Sequence, residues 1–124
     1  MKKKRELNTA GDNINTSNAS WSFSGNVCDN FSTHVRRSVP LYDEGHDIVC
    51  GLTDFFLKED SVLYDLGTSL GELLQKISSR HPEKGHLIGI DKEASMIEKA
   101  KEINRCKSIE FLCDDITTYS FLKS

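Results

Sequence analysis

Ser61-Val62-Leu63-Tyr64-Asp65-Leu66-Gly67-Thr68-Ser69-Leu70-Gly71 is the stretch that decides the fold. Its first six residues form a short apolar run of strand type, stopped at Gly67. Leu70, Leu73, Leu74 and Ile77 then recur at helical spacing until His81-Pro82. A strand passing into a helix through two glycines is one unit of an α/β fold. The same alternation continues downstream. His86-Leu87-Ile88-Gly89-Ile90-Asp91 reads as a second buried strand. Met96, Ile97, Ala100 and Ile103 mark the next helix, with Ser95 and Glu98 spaced as a capping box. Ile109-Glu110-Phe111-Leu112-Cys113 reads as a third strand, ending in Asp114-Asp115. Near-continuous apolar strands alternating with amphipathic helices call for a parallel sheet. Right-handed crossovers place these strands side by side in the order 3-2-1.

Upstream, Ile48, Val49, Leu52, Phe55 and Phe56 share one face of a helix that begins near Asp43. Acidic Asp43, Glu44 and Asp47 occupy its first turns, where the helix dipole favours them. Pro40 separates it from an aromatic-rich segment opened by Trp21, Phe23, Val27 and Phe31. Together these form a helical lead-in to the sheet. Residues 1–20 hold a basic cluster, Lys2-Lys3-Lys4-Arg5, and then mostly Asn, Ser, Thr and Gly. With so little to bury, they are expected to be a disordered basic and polar lead.

The whole chain has 124 residues, 37% hydrophobic and 28% charged, with a net charge of -3, a composition suited to one globular domain. No apolar run is long enough to cross a bilayer, and the basic start is not followed by the apolar core of a secretion signal. Beyond Arg5 the chain is acidic overall, so no broad phosphate-binding face and no direct nucleic-acid binding are expected. Cys28, Cys50, Cys106 and Cys113 include no C-x-x-C pair and form no zinc pattern with the histidines. Reduced thiols in a cytoplasmic protein, with no metal site, are the expectation.

Chemistry concentrates at the strand ends. Gly67 permits a tight turn and a close approach of backbone to ligand. The helix that follows presents free N–H groups at its positive end, and Gly71 allows helix to pack closely on strand. Ser69 stands where a dinucleotide fingerprint would have its middle glycine, which disfavours a diphosphate and with it a nicotinamide cofactor. Asp65 brings a carboxylate that suits the ammonium and sulfonium charges of S-adenosylmethionine. Asp91 ends the second strand twenty residues after Gly71, where a carboxylate can accept hydrogen bonds from both ribose hydroxyls. The same residue can cap the following helix. Asp115, after the third strand, can accept from an adenine amino group or stand as a solvated loop residue. His34 is the nearest candidate for a general base but does not make one, so no catalytic residue is assigned.

Asp65 to Gly71, Asp91 and Asp114-Asp115-Ile116 resemble the first three motifs of class I S-adenosylmethionine-dependent methyltransferases. Phe23, Val27, Phe31 and Arg37-Ser38-Val39-Pro40-Leu41-Tyr42 resemble, more narrowly, the carboxy-S-adenosylmethionine synthase family, which serves modification of the wobble uridine in certain tRNAs. The resemblance implies the N-terminal half of a Rossmann-like methyltransferase sheet over residues 21–124, with S-adenosyl-L-methionine or its carboxylated derivative as cofactor. It carries cofactor contacts onto Tyr42, Gly67, Ser69, Asp91, Asp115 and the backbone near Ile116, with Lys92 beside the ribose-binding aspartate. Leu41 replaces a small residue and Thr68 replaces a cysteine of that family. The family continues for four more strands, where its second substrate binds, and the sequence here ends soon after Asp115. An incomplete domain is therefore expected, whose first strand leaves an edge open to self-association. The alternative is a non-catalytic nucleoside-binding or protein-interaction module.

Overall fold

In chain order the protein forms β1 (Thr9–Ala10), β2 (Ile14–Asn15), α1 (Val27–Ser38), α2 (Tyr42–Phe56), β3 (Val62–Leu66), α3 (Glu72–Arg80), β4 (His86–Asp91), α4 (Ala94–Ile103) and β5 (Ile109–Cys113). The computed structural model describes residues 9–10, 14–15, 27–104 and 108–122. β3, β4 and β5 make a parallel sheet with β4 in the centre, in the register Leu63↔Leu87↔Ile109 and Asp65↔Gly89↔Phe111. This is the expected 3-2-1 order. β4 is buried along Leu87-Ile88-Gly89-Ile90, which explains its uninterrupted apolar sequence.

The main core lies between the sheet and the helices. Leu74 and Ile77 of α3, and Ile97 and Ala100 of α4, meet Leu87 and Phe111 there. Two glycines make this contact close. A Cβ on Gly89 would come within 2.7 Å of Thr68 Oγ1, so the bare backbone of β4 receives the loop that follows β3. A Cβ on Gly71 would lie 2.5 Å from the Phe111 ring, and Gly71 also holds a left-handed backbone at φ +74°. On the opposite face, Tyr64 alternates with the core residue Leu63 and packs against Tyr119 and Phe121. The segment after β5 thus returns across the sheet to β3.

Three local expectations change. The apolar stripe of α2 is not what the helix buries: Phe55 and Phe56 are 80% and 75% exposed, and Ile48 and Leu52 are exposed as well. α2 instead turns Cys50 and Thr53 inward and is tied to α3 by polar links, Thr53 to His81 at 2.9 Å and Lys76 to Asp43 at 3.1 Å. α4 starts at Ala94 with Glu93 as its N-cap, so Ser95 lies too far into the helix for a capping box, and no side chain at Glu93 caps it. The first 20 residues, expected to be disordered, contain the β1–β2 antiparallel pair, two residues on each side. The rest of that lead, with Trp21 and Phe23, falls outside the described residues. Among the described residues no helix is long and apolar enough to cross a membrane.

Candidate functional site

The loop after β3 is stitched to the end of β4. Gly67 and Thr68 both donate their N–H to the Ile90 carbonyl, at 2.8 and 3.0 Å. Gly67 has φ +77°, and a Cβ there would meet nothing within 4 Å, so its open side faces free space. Ser69 also holds a left-handed backbone, φ +52°, which aims its N–H at Asp91 Oδ2, 2.9 Å away. The other oxygen, Asp91 Oδ1, accepts from the Glu93 N–H at 3.0 Å. Asp91 therefore anchors the glycine loop and starts the turn into α4, and each oxygen keeps a lone pair for a further donor. The Asp114 N–H reaches the Asp91 carbonyl at 3.1 Å, which brings the end of β5 to the same place.

Two cavities flank Gly67 and share it. One, of about 360 Å³, is lined by Ile90, Asp91, Lys92, Asp115, Ile116 and Thr117. The other, of about 260 Å³, is lined by Tyr42, His46, Asp65, Ser69 and Glu72, among others. Both combine polar and apolar lining, and the larger has the volume of a small-ligand site. Their electrostatics differ. In the second cavity, burial pushes the Asp65 carboxyl up, against a 2.8 Å hydrogen bond from Thr68. Burial and the neighbouring Lys76 hold His46 below the usual imidazole range. In the first cavity, hydrogen bonds from Thr117 hold Asp115 below the usual carboxylate range.

The floor of the second cavity is held by a clasp across three helices. Arg36 of α1 donates to both oxygens of Asp43 on α2, at 2.9 and 3.0 Å, and to Glu72 on α3 at 2.9 Å. Ser32 adds a 2.6 Å bond to Glu72, and the Arg36 guanidinium lies 5.4 Å from the centroid of the Tyr42 ring. Burial pushes Glu72 up, but the hydrogen bonds from Arg36 and Ser32 outweigh it and leave the carboxyl below its ordinary value.

The residues singled out from the sequence come together around the two cavities, except Gly71 and His34. Gly67, Asp91, Lys92, Asp115 and Ile116 share the first cavity, and Tyr42, Asp65 and Ser69 share the second with Gly67. Gly71 faces Phe111 and contributes packing beneath the loop. His34 lies on α1, where it meets Ser38 at 3.3 Å, and lines neither cavity. Sequence reasoning missed His46 and Glu72. His46 falls one turn after Tyr42, its ring 4.3 Å from the Tyr42 ring, so helical spacing from Tyr42 was the available signal.

A methyltransferase domain profile matches residues 57–121, more than half of the chain. The carboxy-S-adenosyl-L-methionine synthase of Staphylococcus epidermidis is 33% identical over 102 residues, which cover 82% of this chain and 45% of that protein. Its counterpart in Actinobacillus succinogenes is 35% identical over 106 residues, covering 81% and 44%. The chain thus spans about half the length of the curated relatives it matches. Among solved structures, the plantazolicin methyltransferase BpumL, in complex with a triazolic desmethylPZN analog and SAH, superposes with a TM-score of 0.56 at 23% identity, over 75% of this chain and 36% of that one. The profile match begins just ahead of β3 and takes in all three strand ends that meet around Gly67, and on that ground the chain belongs to the methyltransferase domain family.

Proposed function

We propose that this chain binds S-adenosyl-L-methionine, or its carboxylated derivative, along the two cavities that share Gly67, as the cofactor-holding half of a transferase akin to carboxy-S-adenosyl-L-methionine synthase. The observation that carries this reading is the convergence of three strand ends: Gly67, Asp91 and Asp115 line one cavity, and Gly67 opens on a second that holds Asp65 and Tyr42. The residues fit such a ligand. Asp91, pinned by Ser69 and Glu93, is set to accept both ribose hydroxyls. Asp115 accepts the adenine amino group, with Ile116 and Lys92 beside it. Asp65, Ser69 and Tyr42 receive the charged amino-acid end, and the bare side of Gly67 leaves room for the ligand to pass from one cavity to the other. The cofactor supplies a sulfonium that already carries a good leaving group, so the contribution of the protein is binding and orientation rather than proton transfer. Gly71 serves this site through the packing that sets the loop height. We place the protein in the cytoplasm on the strength of the reduced thiols expected from its cysteine spacing.

Calorimetric titration with S-adenosylhomocysteine tests the proposal. The full chain is expected to bind one equivalent, and Asp91→Ala to weaken binding by ~1–3 kcal/mol, the cost of removing a charged acceptor from paired hydroxyls. Equal binding by Asp91→Ala would refute the ribose assignment, and no binding by the full chain would refute the cofactor assignment.

A second reading concerns association. Among the described residues β3 pairs with β4 alone, and the exposed α2 stripe flanks its other side, with Val49, Leu52, Phe56 and Val62 lining a groove of about 400 Å³. An unpaired edge beside exposed apolar side chains favours pairing with a second copy.

A further inference from the structure

Asp115 sits beyond the end of β5 on an exposed loop, yet the structure gives it a fixed pose. Its Oδ1 accepts both the N–H and the hydroxyl of Thr117, at 2.8 and 2.7 Å, which leaves Oδ2 for another donor. Its carbonyl accepts from the N–H groups of Thr118 and Tyr119, at 3.0 and 2.9 Å, so the chain closes one helical turn directly after it. That turn delivers two aromatic rings to β3. Tyr119 and Phe121 meet Tyr64 edge-on, with centroids 6.1 and 5.1 Å away, and each other at 4.9 Å. The Leu122 N–H donates to Tyr64 Oη at 3.2 Å and closes the cluster. Tyr64 directly precedes Asp65 and the glycine loop. β3 and β5 are not neighbours, since β4 lies between them. The aromatic strap is thus a direct tie from the Asp115 turn to the strand that carries Gly67.

We propose that Tyr119 and Phe121 are positioning residues for recognition of the 6-amino group of adenine: clamped on Tyr64, they fix the turn that aims Asp115 Oδ2 into the cavity. A carboxylate on a free loop discriminates poorly, because the entropy lost in ordering it offsets the hydrogen bond gained. Held by the strap, the same carboxylate selects a 6-aminopurine over a purine without the amino group. The inference rests on Asp115 as the adenine acceptor, and the test separates the two.

Affinities of the 124-residue chain for adenosine and for purine riboside, which lacks only the 6-amino group, are compared by calorimetry. The parent is expected to prefer adenosine by about fivefold. Tyr119→Ala and Phe121→Ala are expected to lose that preference while binding purine riboside as the parent does, and Tyr119→Phe, which keeps the ring, to retain it. Phe121→Leu, with thermal unfolding measured alongside, guards against a variant that fails to fold and is expected to show an intermediate preference. If the alanine variants unfold at lower temperature but keep the full preference for adenosine, the strap only stabilises and the proposal is overturned. If the parent itself shows no preference, the role of Asp115 is wrong and this inference falls with it. If the parent binds neither nucleoside, the cofactor reading itself fails.

Discussion

Leu41 carries a backbone that its own side chain resists. It is the N-cap of α2 at φ +58° and ψ +33°, a left-handed conformation that costs an L-residue roughly 1–2 kcal/mol. The side chain recovers little, since it is 72% exposed. The resembled family has a small residue here, and the dihedral angles give the physical reason. Leu41→Gly is expected to stabilise the fold by about 0.5–1 kcal/mol, the relief of strain less the extra freedom of glycine in the unfolded chain. A thermal midpoint raised by a few degrees would show it, whereas an unchanged or lowered midpoint would mean the conformation is not strained. At this scale much of the candidate site was legible. Gly67 and Asp91 announce themselves as the first residues after apolar runs and Asp115 as the second, and strand ends are where a parallel α/β sheet gathers its ligand-facing groups. Ser69 was read as a departure from the glycine pattern, and its φ of +52° shows that the backbone still adopts the conformation a glycine would hold there. His46 had one signal, its spacing of a single turn from Tyr42, whereas Glu72 was not legible, because its place depends on how α3 is rotated, which no local pattern encodes.

Helices α1, α2 and α3 are joined by a cluster of charged side chains. The motif quoted from the sequence begins at Arg37, and the guanidinium just before it, that of Arg36, bridges Asp43 and Glu72. The hydrogen bonds from Arg36 and Lys76 lower the Asp43 carboxyl to about 2, and Glu72 also lies below its ordinary value. A carboxyl depressed in the folded state stabilises the fold above its unfolded pKa and loses that contribution as the pH falls through the folded one. Stability is therefore expected to decline between about pH 4 and pH 2 as these carboxyls take up protons. Arg36→Ala should flatten that part of the profile, because Asp43 then keeps only its bond from Lys76 and Glu72 loses the main hydrogen bond that offsets its burial. Thermal midpoints measured across this range check it, and parallel profiles for parent and variant would contradict it. The exposure of the α2 stripe was illegible for a related reason. Periodicity correctly gives a helix with an apolar face, but says nothing of whether another element is there to cover it. The capping box failed because Asp91, three residues before the helix, already takes the Glu93 N–H.

The sheet explains why the molecule has one well-buried face and one open side. Its order and direction followed from period and handedness alone, since three apolar strands separated by helices have few ways to pack. The aromatic strap did not follow, because Tyr119 and Phe121 lie past the last strand and carry no periodic signal. With β3 paired on one side only among the described residues, and Phe55 mostly exposed, the chain is expected to associate as its concentration rises. Phe55→Glu should shift it toward monomer in size-exclusion chromatography, by placing a charge where a second copy would have to bury it. A parent chain that is monomeric at all concentrations would remove the case for self-association.

The central claim, that three strand ends form one adenosyl-binding site, is tested most directly by an NMR titration of the labelled chain with S-adenosylhomocysteine. The account predicts saturable amide shifts concentrated at Gly67, Ser69, Asp91, Lys92, Asp115 and Ile116. Shifts at saturation that avoid these residues, or spectra unchanged by the ligand, would contradict it.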